Sequence, residues 1–327
     1  MTLLLSQNDV ASLLRMRDCI TVIERAFADY ANGQAEIPLR ISLAAPLKNG
    51  RGYFMPGSFA AENPSFGMKI VTEFAANKNV GLPSILGIVI LLDTETGKPL
   101  AIMDGRHVTN IRTGAASGVA AKYLARKDAS TVGIIGFGDQ AQTQLWAMSE
   151  VRSIKRVRAY SPSASQKTKL IAEISEKIKA PVEIAADPEE ACQDADIIIL
   201  ATNKPGPVIK GDWVKPGACV IAVGLHTQSF GELDTDTIAK AQLVVCDERS
   251  AALKESGDII GALNTGVITE DQLINLGDII LARHSGRTSG DQITVYRSLG
   301  NAFQDLATAS YVYGQAKENG IGVEFDF

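Results

Sequence analysis

The sequence has few of the residues that build metal sites or disulfide scaffolds. Its 327 residues include three histidines and four cysteines, and Cys19, Cys192, Cys219 and Cys246 lie far apart with no CxxC pair. Zinc sites need closely spaced ligands, and disulfide frameworks need an oxidising compartment. We therefore expect no metal site and reduced thiols in a cytoplasmic protein.

An excess of positive charge is also lacking. The 32 basic residues are outnumbered by 37 acidic ones, which gives a net charge of −5. Such a balance provides no general basic field for nucleic acid or an anionic membrane. We expect neither as a partner, and an anionic ligand must be held by a local cluster of cations.

Long apolar runs are absent as well. The longest, at 87–92 and 197–201, are far shorter than the ~20 residues that span a bilayer. The opening MTLLLSQ has no basic stretch before its leucines, so we expect no signal peptide. An apolar fraction of 46% fits a globular protein, and 327 residues favour two domains.

The first third of the chain combines helices with strands. Residues 3–14 and 17–33 carry apolar side chains at i, i+3 and i+4, which predicts two helices. Strands are predicted at 65–74, 85–92 and 99–103. Three neighbouring strands of this kind favour an antiparallel sheet.

From about residue 109 the pattern changes to alternating helices and strands. Residues 109–125 predict an alanine-rich helix, and Asp187-Pro188 marks the start of a later one. Strands are predicted at 132–135, 157–160, 197–201, 219–223 and 243–246. This alternation is typical of an α/β fold with a Rossmann-type doubly wound parallel sheet. We place that domain at 119–303, and an amphipathic helix at 301–320 ends the chain.

A glycine loop follows the first strand of the α/β region. The sequence GFGDQA at 136–141 has the pattern G-x-G-x-x-A and opens a predicted helix. Gly136 would make a tight turn, and Gly138 would let the backbone approach a pyrophosphate at the helix N-terminus. An ordinary glycine turn is the alternative, but the flanking strand and helix favour a dinucleotide site.

The acidic residue that usually selects NAD is missing. In NAD-binding folds an Asp or Glu about 20 residues after the glycines binds the adenosine ribose. The segment YSPS stands there, and residues 151–172 contain no acid. A 2′-phosphate could bind Ser161, Ser163 and a cation such as Lys167. We expect NADPH or NADH as the cofactor, with NADPH favoured.

Three basic residues occupy confined positions in the first domain. Arg40 follows the segment IPL, Lys69 lies in an otherwise apolar strand, and Arg112 lies at the start of the alanine-rich helix. A cation at a helix N-terminus is unfavourable unless an anion joins it. An exposed edge lysine is the alternative for Lys69, but together the three could bind a carboxylate.

Ordered motifs along the whole chain resemble the ornithine cyclodeaminase and mu-crystallin family. They are PLR at 38–40, GMK at 67–69, GLPS at 81–84, TNIRTGAAS at 109–117, GFGDQA at 136–141, VG at 223–224, GELD at 231–234 and ITVYRSLGNAFQD at 293–305. The resemblance implies a homodimer, a nicotinamide cofactor and an α+β substrate-binding and dimerisation domain. We assign 1–118 with 304–327 to that domain, which the C-terminal helix would rejoin.

The resemblance also implies roles for particular residues. Arg40, Lys69 and Arg112 match the positions that hold a substrate carboxylate. The positions implied for the cofactor are Ser84, Arg112, Thr113, Gly136, Gly138, Asp139, Gln140, Ser161, Ser163, Thr202, Val223, Gly224 and Ser298.

One position separates the activities of the family. Its cyclodeaminases carry an aspartate shortly after the VG motif, where it handles the side-chain amine of the substrate, and His226 stands there in this chain. A histidine cannot pair with the terminal ammonium of ornithine as an aspartate does. A cyclic imine is therefore favoured, with Lys69 and His226 as candidate proton donors. A loop histidine that contacts cofactor or solvent is an equal alternative for His226.

The leading hypothesis is the reduction of Δ1-pyrroline-2-carboxylate to L-proline, with Δ1-piperideine-2-carboxylate to L-pipecolate as a further reaction. An amino-acid dehydrogenase of the alanine type and an ornithine cyclodeaminase are the alternative enzymes. An NADPH-regulated binding protein of the mu-crystallin type is the alternative without turnover. Arg40, Lys69 and Arg112 argue against a purely binding role, although a carboxylate ligand would use them too.

Overall fold

The chain folds into two compact units. The computed structural model describes residues 1–45, 47, 50–60, 62, 64–163, 166–224 and 227–326, with only the backbone of Lys78. Unit 1 consists of Met1–Arg112 and Asn301–Phe327, and unit 2 of Thr113–Gly300. Both boundaries lie a few residues before those expected from the sequence. The first falls inside a continuous helix, Gly105–Leu124, so no linker marks it.

The strands are numbered in chain order. They are β1 Thr2–Leu5, β2 Ala35–Glu36, β3 Ile41–Ala45, β4 Gly50–Phe59, β5 Ser65–Glu73, β6 Ile85–Leu92, β7 Pro99–Asp104, β8 Thr131–Ile135, β9 Arg156–Tyr160, β10 Val182–Ile184, β11 Ile197–Leu200, β12 Cys219–Ala222, β13 Leu243–Cys246, β14 Leu273–Asn275, β15 Thr294–Arg297 and β16 Val323–Phe325.

The helices are numbered in the same way. They are α1 Gln7–Leu13, α2 Met16–Ala31, α3 Gly105–Leu124, α4 Asp139–Val151, α5 Thr168–Ile178, α6 Pro188–Cys192, α7 Thr235–Lys240, α8 Arg249–Glu255, α9 Gly257–Asn264, α10 Leu276–Ile280 and α11 Ala302–Asn319. Short 3-10 helices occupy Ala75–Val80, Gly211–Trp213 and Glu270–Gln272.

Unit 1 is built on a mixed sheet with the strand order β16-β1-β7-β6-β5-β4-β2, in which β3 also pairs with β4. Within this sheet, β4, β5, β6 and β7 pair with one another in antiparallel fashion, which confirms the predicted antiparallel arrangement. Helix α11 packs against β4, β5, β6 and α2. The last helix therefore belongs to the same unit as the first strands.

The N-terminal leucines form a strand, so the helix predicted over 3–14 is wrong in its first part. Strand β1 pairs in parallel with β7 and antiparallel with β16. Helix α1 begins only after Ser6, whose hydroxyl accepts a hydrogen bond from the Asp9 N–H while the Asp9 carboxylate accepts one from the Ser6 N–H. This capping box fixes the start of the helix.

Unit 2 contains a parallel sheet with the order β10-β9-β8-β11-β12-β15-β13-β14. Helices alternate with its strands, and the central strands β11 and β12 are wholly buried. The chain runs outward from β8 through β9 and β10, then returns to β11 on the other side of β8. This reversal is the switch point of a doubly wound sheet, where nucleotides bind at the carboxyl ends of the strands.

No helix in the described part of the chain combines the length and apolar character needed to cross a membrane. No group of three or more His, Cys, Asp or Glu side chains among the same residues could hold a metal ion. The four cysteine thiols are free and buried.

Candidate active site

Lys69 lies in a row of otherwise apolar side chains that crosses five strands of unit 1. The register places Met55, Lys69, Val89, Met103 and Leu5 beside one another on β4, β5, β6, β7 and β1. All five are buried, and Lys69 is 2% exposed. Burying an ammonium group is unfavourable unless it is paired. Lys69 is therefore not the exposed edge lysine that the sequence left as an alternative.

Asp305 on α11 is the partner of two of the predicted cations. Lys69 Nζ lies 2.7 Å from Asp305 Oδ2. Arg112 Nε donates to Asp305 Oδ1 at 2.8 Å, and Arg112 Nη1 donates to Gln304 Oε1 at 2.6 Å. Asp305 and Gln304 are fully buried. The structure thus brings Lys69 and Arg112 together around one carboxylate.

The position of Arg112 differs from the one predicted. Helix α3 begins at Gly105, so Arg112 lies seven residues inside the helix and not at its N-terminus. The anion that joins it is the carboxylate of Asp305. No local pattern could have revealed this pairing, because the two residues are 193 positions apart in the sequence.

The electrostatics of the cluster affect Lys69 most. Burial, followed by the positive charges of Arg112 and Arg40, lowers the pKa of Lys69 to about 7, although Asp305 acts in the opposite direction. Arg40 is partly exposed and also acts on Tyr53, whose pKa is raised mainly by burial and then by Glu73. Tyr53 lies two residues from Met55 on β4, and no sequence pattern indicates its place near these charges.

Lys69, Arg112 and Asp305, with the nearby charge of Arg40, suit the binding of a small anion and the transfer of a proton. Three cations and one carboxylate leave a net charge of +2 when Lys69 is protonated, and a carboxylate ligand would offset part of it. Gln304 Nε2 is a buried donor with no acceptor among the described residues. A lysine with a pKa near 7 is populated in both protonation states at neutral pH, so it can act as an acid.

The glycine loop of unit 2 has the predicted strand–loop–helix setting. Gly136 follows β8 with φ +96°, and a Cβ there would lie 2.2 Å from the Ala201 carbonyl oxygen. Gly138 is the N-cap of α4, and a Cβ there would meet nothing within 4 Å. The first glycine allows close packing, and the second leaves the open space that a pyrophosphate needs.

A cleft of about 470 Å³ lies beside this loop. It is lined by the glycine loop, by Tyr160 and Ser161 at the end of β9, and by Lys167 and Lys204. Lys167 Nζ donates to the Phe137 carbonyl at 2.5 Å. The Ser161 and Ser163 hydroxyls are 3.4 Å apart. The volume fits part of a dinucleotide, and two of the residues expected around a 2′-phosphate, Ser161 and Lys167, lie at its wall.

The remaining positions implied for the cofactor lie in both units. Asp139 and Gln140 open α4, while Thr202, Val223, Gly224 and Ser298 follow β11, β12 and β15 at the same carboxyl edge of the parallel sheet. Ser84 and Arg112 belong to unit 1, and Thr113 lies in α3. Their contact with a cofactor stays a prediction. His226 lies outside the described residues.

Comparison with known proteins gives one family over nearly the whole chain. The model of the ornithine cyclodeaminase/mu-crystallin family matches residues 1–320. A Δ1-pyrroline-2-carboxylate reductase of Bacillus cereus is 37% identical over 326 residues, which cover 99% of this chain and all of the relative.

Two solved structures share the fold. The Δ1-pyrroline-2-carboxylate reductase of Thermococcus litoralis, in complex with NADH and L-proline, is 39% identical with a TM-score of 0.94, over 99% of this chain and 100% of that one. An archaeal alanine dehydrogenase dimer with bound NAD is 35% identical with a TM-score of 0.92, over 100% and 99%.

Proposed function

Since the chain belongs to the ornithine cyclodeaminase/mu-crystallin family, we propose that it reduces the cyclic imine Δ1-pyrroline-2-carboxylate to L-proline with NAD(P)H. The observation that carries the proposal is the buried cluster of Lys69, Arg112 and Asp305, which joins a carboxylate-binding cation to an acid of near-neutral pKa. The similarity to two Δ1-pyrroline-2-carboxylate reductases supports the choice of substrate.

Arg112 and Arg40 bind the substrate carboxylate in this proposal. Asp305 and Gln304 hold the Arg112 guanidinium in one orientation through its Nε and Nη1 groups. A guanidinium fixed in this way can donate to a carboxylate without losing further side-chain entropy. Arg40 directly precedes β3, is partly exposed, and adds a positive charge that acts on Lys69.

Lys69 supplies the proton that the imine nitrogen gains. When bound, NAD(P)H supplies the hydride that adds to C2 of the ring. The C=N double bond then becomes a CH–NH single bond, and Lys69 is left neutral until it takes a proton from solvent. The nitrogen is already closed into the ring, so no second ammonium has to be held. His226 is the second candidate donor, from sequence reasoning alone.

Unit 2 binds the cofactor at the carboxyl edge of its sheet. The missing acid after β9 supports binding of NADPH at least as well as NADH, as do Ser161 and Lys167 at the cleft and Ser163 beside Ser161. The six-membered Δ1-piperideine-2-carboxylate is the further substrate, because it offers the same carboxylate and imine groups.

A second candidate is an amino-acid dehydrogenase of the alanine type. The archaeal alanine dehydrogenase structure favours it, since it shares the fold at 35% identity. The same cations would bind the carboxylate of a 2-oxo acid. This activity requires free ammonia, whereas reduction of a cyclic imine does not.

An assay of reduced-cofactor absorbance separates these functions. The purified protein is given Δ1-pyrroline-2-carboxylate, Δ1-piperideine-2-carboxylate, or pyruvate with ammonium, each with NADPH and with NADH. We expect the pyrroline to give the highest kcat/KM. Faster turnover of pyruvate with ammonium would favour the dehydrogenase. Ammonia release from ornithine with catalytic NAD⁺ would overturn the proposal, and a tenfold tighter Kd for NADH would overturn the cofactor preference.

We also propose a homodimer that forms through the outer face of the sheet in unit 1. Opposite the Lys69 row, the register places the apolar residues Ile41, Phe54, Ile70 and Ile88 beside one another. Ile41 is 53% exposed and Ile88 is 40% exposed. A contiguous exposed apolar face is typical of a protein interface. The free, buried thiols support a cytoplasmic location.

A further inference from the structure

Glu232 is a buried acid that holds the ends of two strands of unit 2. It lies in the GELD motif after β12 and is fully buried. Its Oε1 accepts hydrogen bonds from the Thr202 N–H at 2.7 Å and the Thr202 hydroxyl at 2.8 Å. Its Oε2 accepts one from the Gly224 N–H at 2.6 Å. One carboxylate thus joins the segment after β11 to the segment after β12.

The third neighbouring strand is tied to the same carboxylate. Arg297, the last residue of β15, is fully buried, and its Nη1 lies 3.5 Å from Glu232 Oε2. Arg297 Nε lies 3.4 Å from Asp258 Oδ2 and 3.3 Å from the Ser256 hydroxyl, to which it donates. Burial raises the pKa of Glu232, against the lowering by Arg297 and the donors of Thr202 and Gly224.

The packing around Glu232 leaves little freedom. A Cβ at Gly224 would lie 2.3 Å from Glu232 Oε1 and 2.4 Å from the Thr202 carbonyl oxygen. A Cβ at Gly231 would lie 2.2 Å from the Asp258 carboxyl carbon. The backbone at Gly224 and Gly231 therefore approaches the two acids too closely to leave room for a side chain at either glycine.

The ends of β11, β12 and β15, which meet at the Glu232 carboxylate, lie on one side of the switch point. Gly136 and Ser161, where the phosphates and the adenosine ribose are expected, follow β8 and β9 on the other side. The ends of β11, β12 and β15 are then left for the nicotinamide half of a dinucleotide. Thr202 and Gly224, which Glu232 holds, are among the positions implied for the cofactor.

We propose that Glu232 is a positioning residue that sets the loops after β11 and β12 for the nicotinamide half of the cofactor. This inference rests on the cofactor binding in the proposed function. Glu232 acts through Thr202 and Gly224, while Arg297 lies beside its carboxylate and favours the charged form. A change at Glu232 should weaken binding of the whole dinucleotide more than binding of its adenosine part.

The test is the variant Glu232→Gln, because the amide keeps the size but turns an NH₂ group toward the Gly224 N–H donor. Dissociation constants are measured for NADH and for 5′-AMP, with the thermal midpoint Tm. A hydrogen bond to a charged group favours the ordered loop by about tenfold or more, and NADH binding to the variant would have to restore that order. We expect Glu232→Gln to raise the dissociation constant of NADH by about tenfold or more and that of 5′-AMP by less than about twofold.

Asp196 offers a matched control at the opposite edge of the same sheet. Its carboxylate accepts from the Ser130 and Thr131 N–H groups and from the Thr131 hydroxyl, and pairs with Arg126 at 2.8 Å. Asp196→Asn therefore removes an equivalent set of interactions away from the carboxyl edge. We expect it to lower Tm and leave both dissociation constants unchanged.

The inference that Glu232 positions the loops would be overturned if Glu232→Gln binds NADH as tightly as the wild-type protein does. Equal losses of affinity for NADH and for 5′-AMP would overturn it too. If Glu232→Gln does not fold, Glu232→Asp keeps the charge beside Arg297 and is held to the same pattern. A wild-type protein that binds neither NADH nor NADPH would instead overturn the proposed function.

Discussion

At the scale of single residues, Asp305 holds the buried ammonium group of Lys69 and the guanidinium group of Arg112 around one carboxylate. The apolar strand around Lys69 is visible in the sequence, but its burial depends on four other strands and on α11. Asp305 comes from the far end of the chain. The sequence singles out Arg40, Lys69 and Arg112, but the carboxylate that brings Lys69 and Arg112 together was not predictable from it.

The pKa of Lys69 predicts how imine reduction depends on pH. A lysine donates its proton only from the ammonium form, which is lost as pH rises through about 7. We therefore expect kcat/KM for Δ1-pyrroline-2-carboxylate to fall above that pH. Below that pH, Lys69→Met should lose about 10²- to 10⁴-fold in kcat relative to wild type, the usual contribution of a general acid, and the difference should shrink as pH rises. Wild-type turnover in this variant would remove Lys69 from the reaction.

Asp305 should move this pH dependence. Its negative charge raises the pKa of Lys69, so Asp305→Asn should shift the fall in kcat/KM to lower pH. Glu95→Gln, which removes a carboxylate from the exposed turn between β6 and β7, serves as the control and should leave the profile in place. A shift to higher pH in Asp305→Asn would contradict the assignment of the fall to Lys69.

At the scale of elements, local signals were predictable and distant pairing was not. The glycine loop was found because strand, glycines and helix are adjacent in sequence around Gly136. The run Leu3 to Leu5 was misread as helix because its strand partners are at Pro99–Asp104 and Val323–Phe325. The start of α3 was placed four residues late, at Thr109 and not Gly105, and this misplaced Arg112 relative to the helix end.

The outer face of the unit 1 sheet predicts the oligomeric state. Removing exposed apolar surface from water favours association, and a lysine in the interface would bury an unpaired charge. We expect the wild-type protein to have the mass of two chains in light scattering and Ile88→Lys to have the mass of one. Ile184→Lys is the matched control, because Ile184 is 43% exposed on a strand of unit 2 and should leave the dimer intact. A wild-type monomer would contradict the proposed homodimer.

At the scale of the whole molecule, the sequence motifs predict two units, one that contains both ends of the chain and one built from its middle. The acidic chain places Lys69, Arg40 and Arg112 in the unit built from its two ends, and the glycine loop in the unit built from its middle. The boundaries were less predictable, since the first falls inside α3. The cations proposed to bind an anion are thus a local exception in a chain of negative net charge.

The central claim is that a hydride from the nicotinamide ring reaches C2 of a cyclic imine. The most direct measurement uses NADH or NADPH with deuterium at both C4 positions of the nicotinamide and follows the label into the product by mass spectrometry and NMR. We predict L-proline with one deuterium at C2 when Δ1-pyrroline-2-carboxylate is the substrate. Proline without deuterium at C2, or no proline at all from active, cofactor-binding protein, would contradict the account.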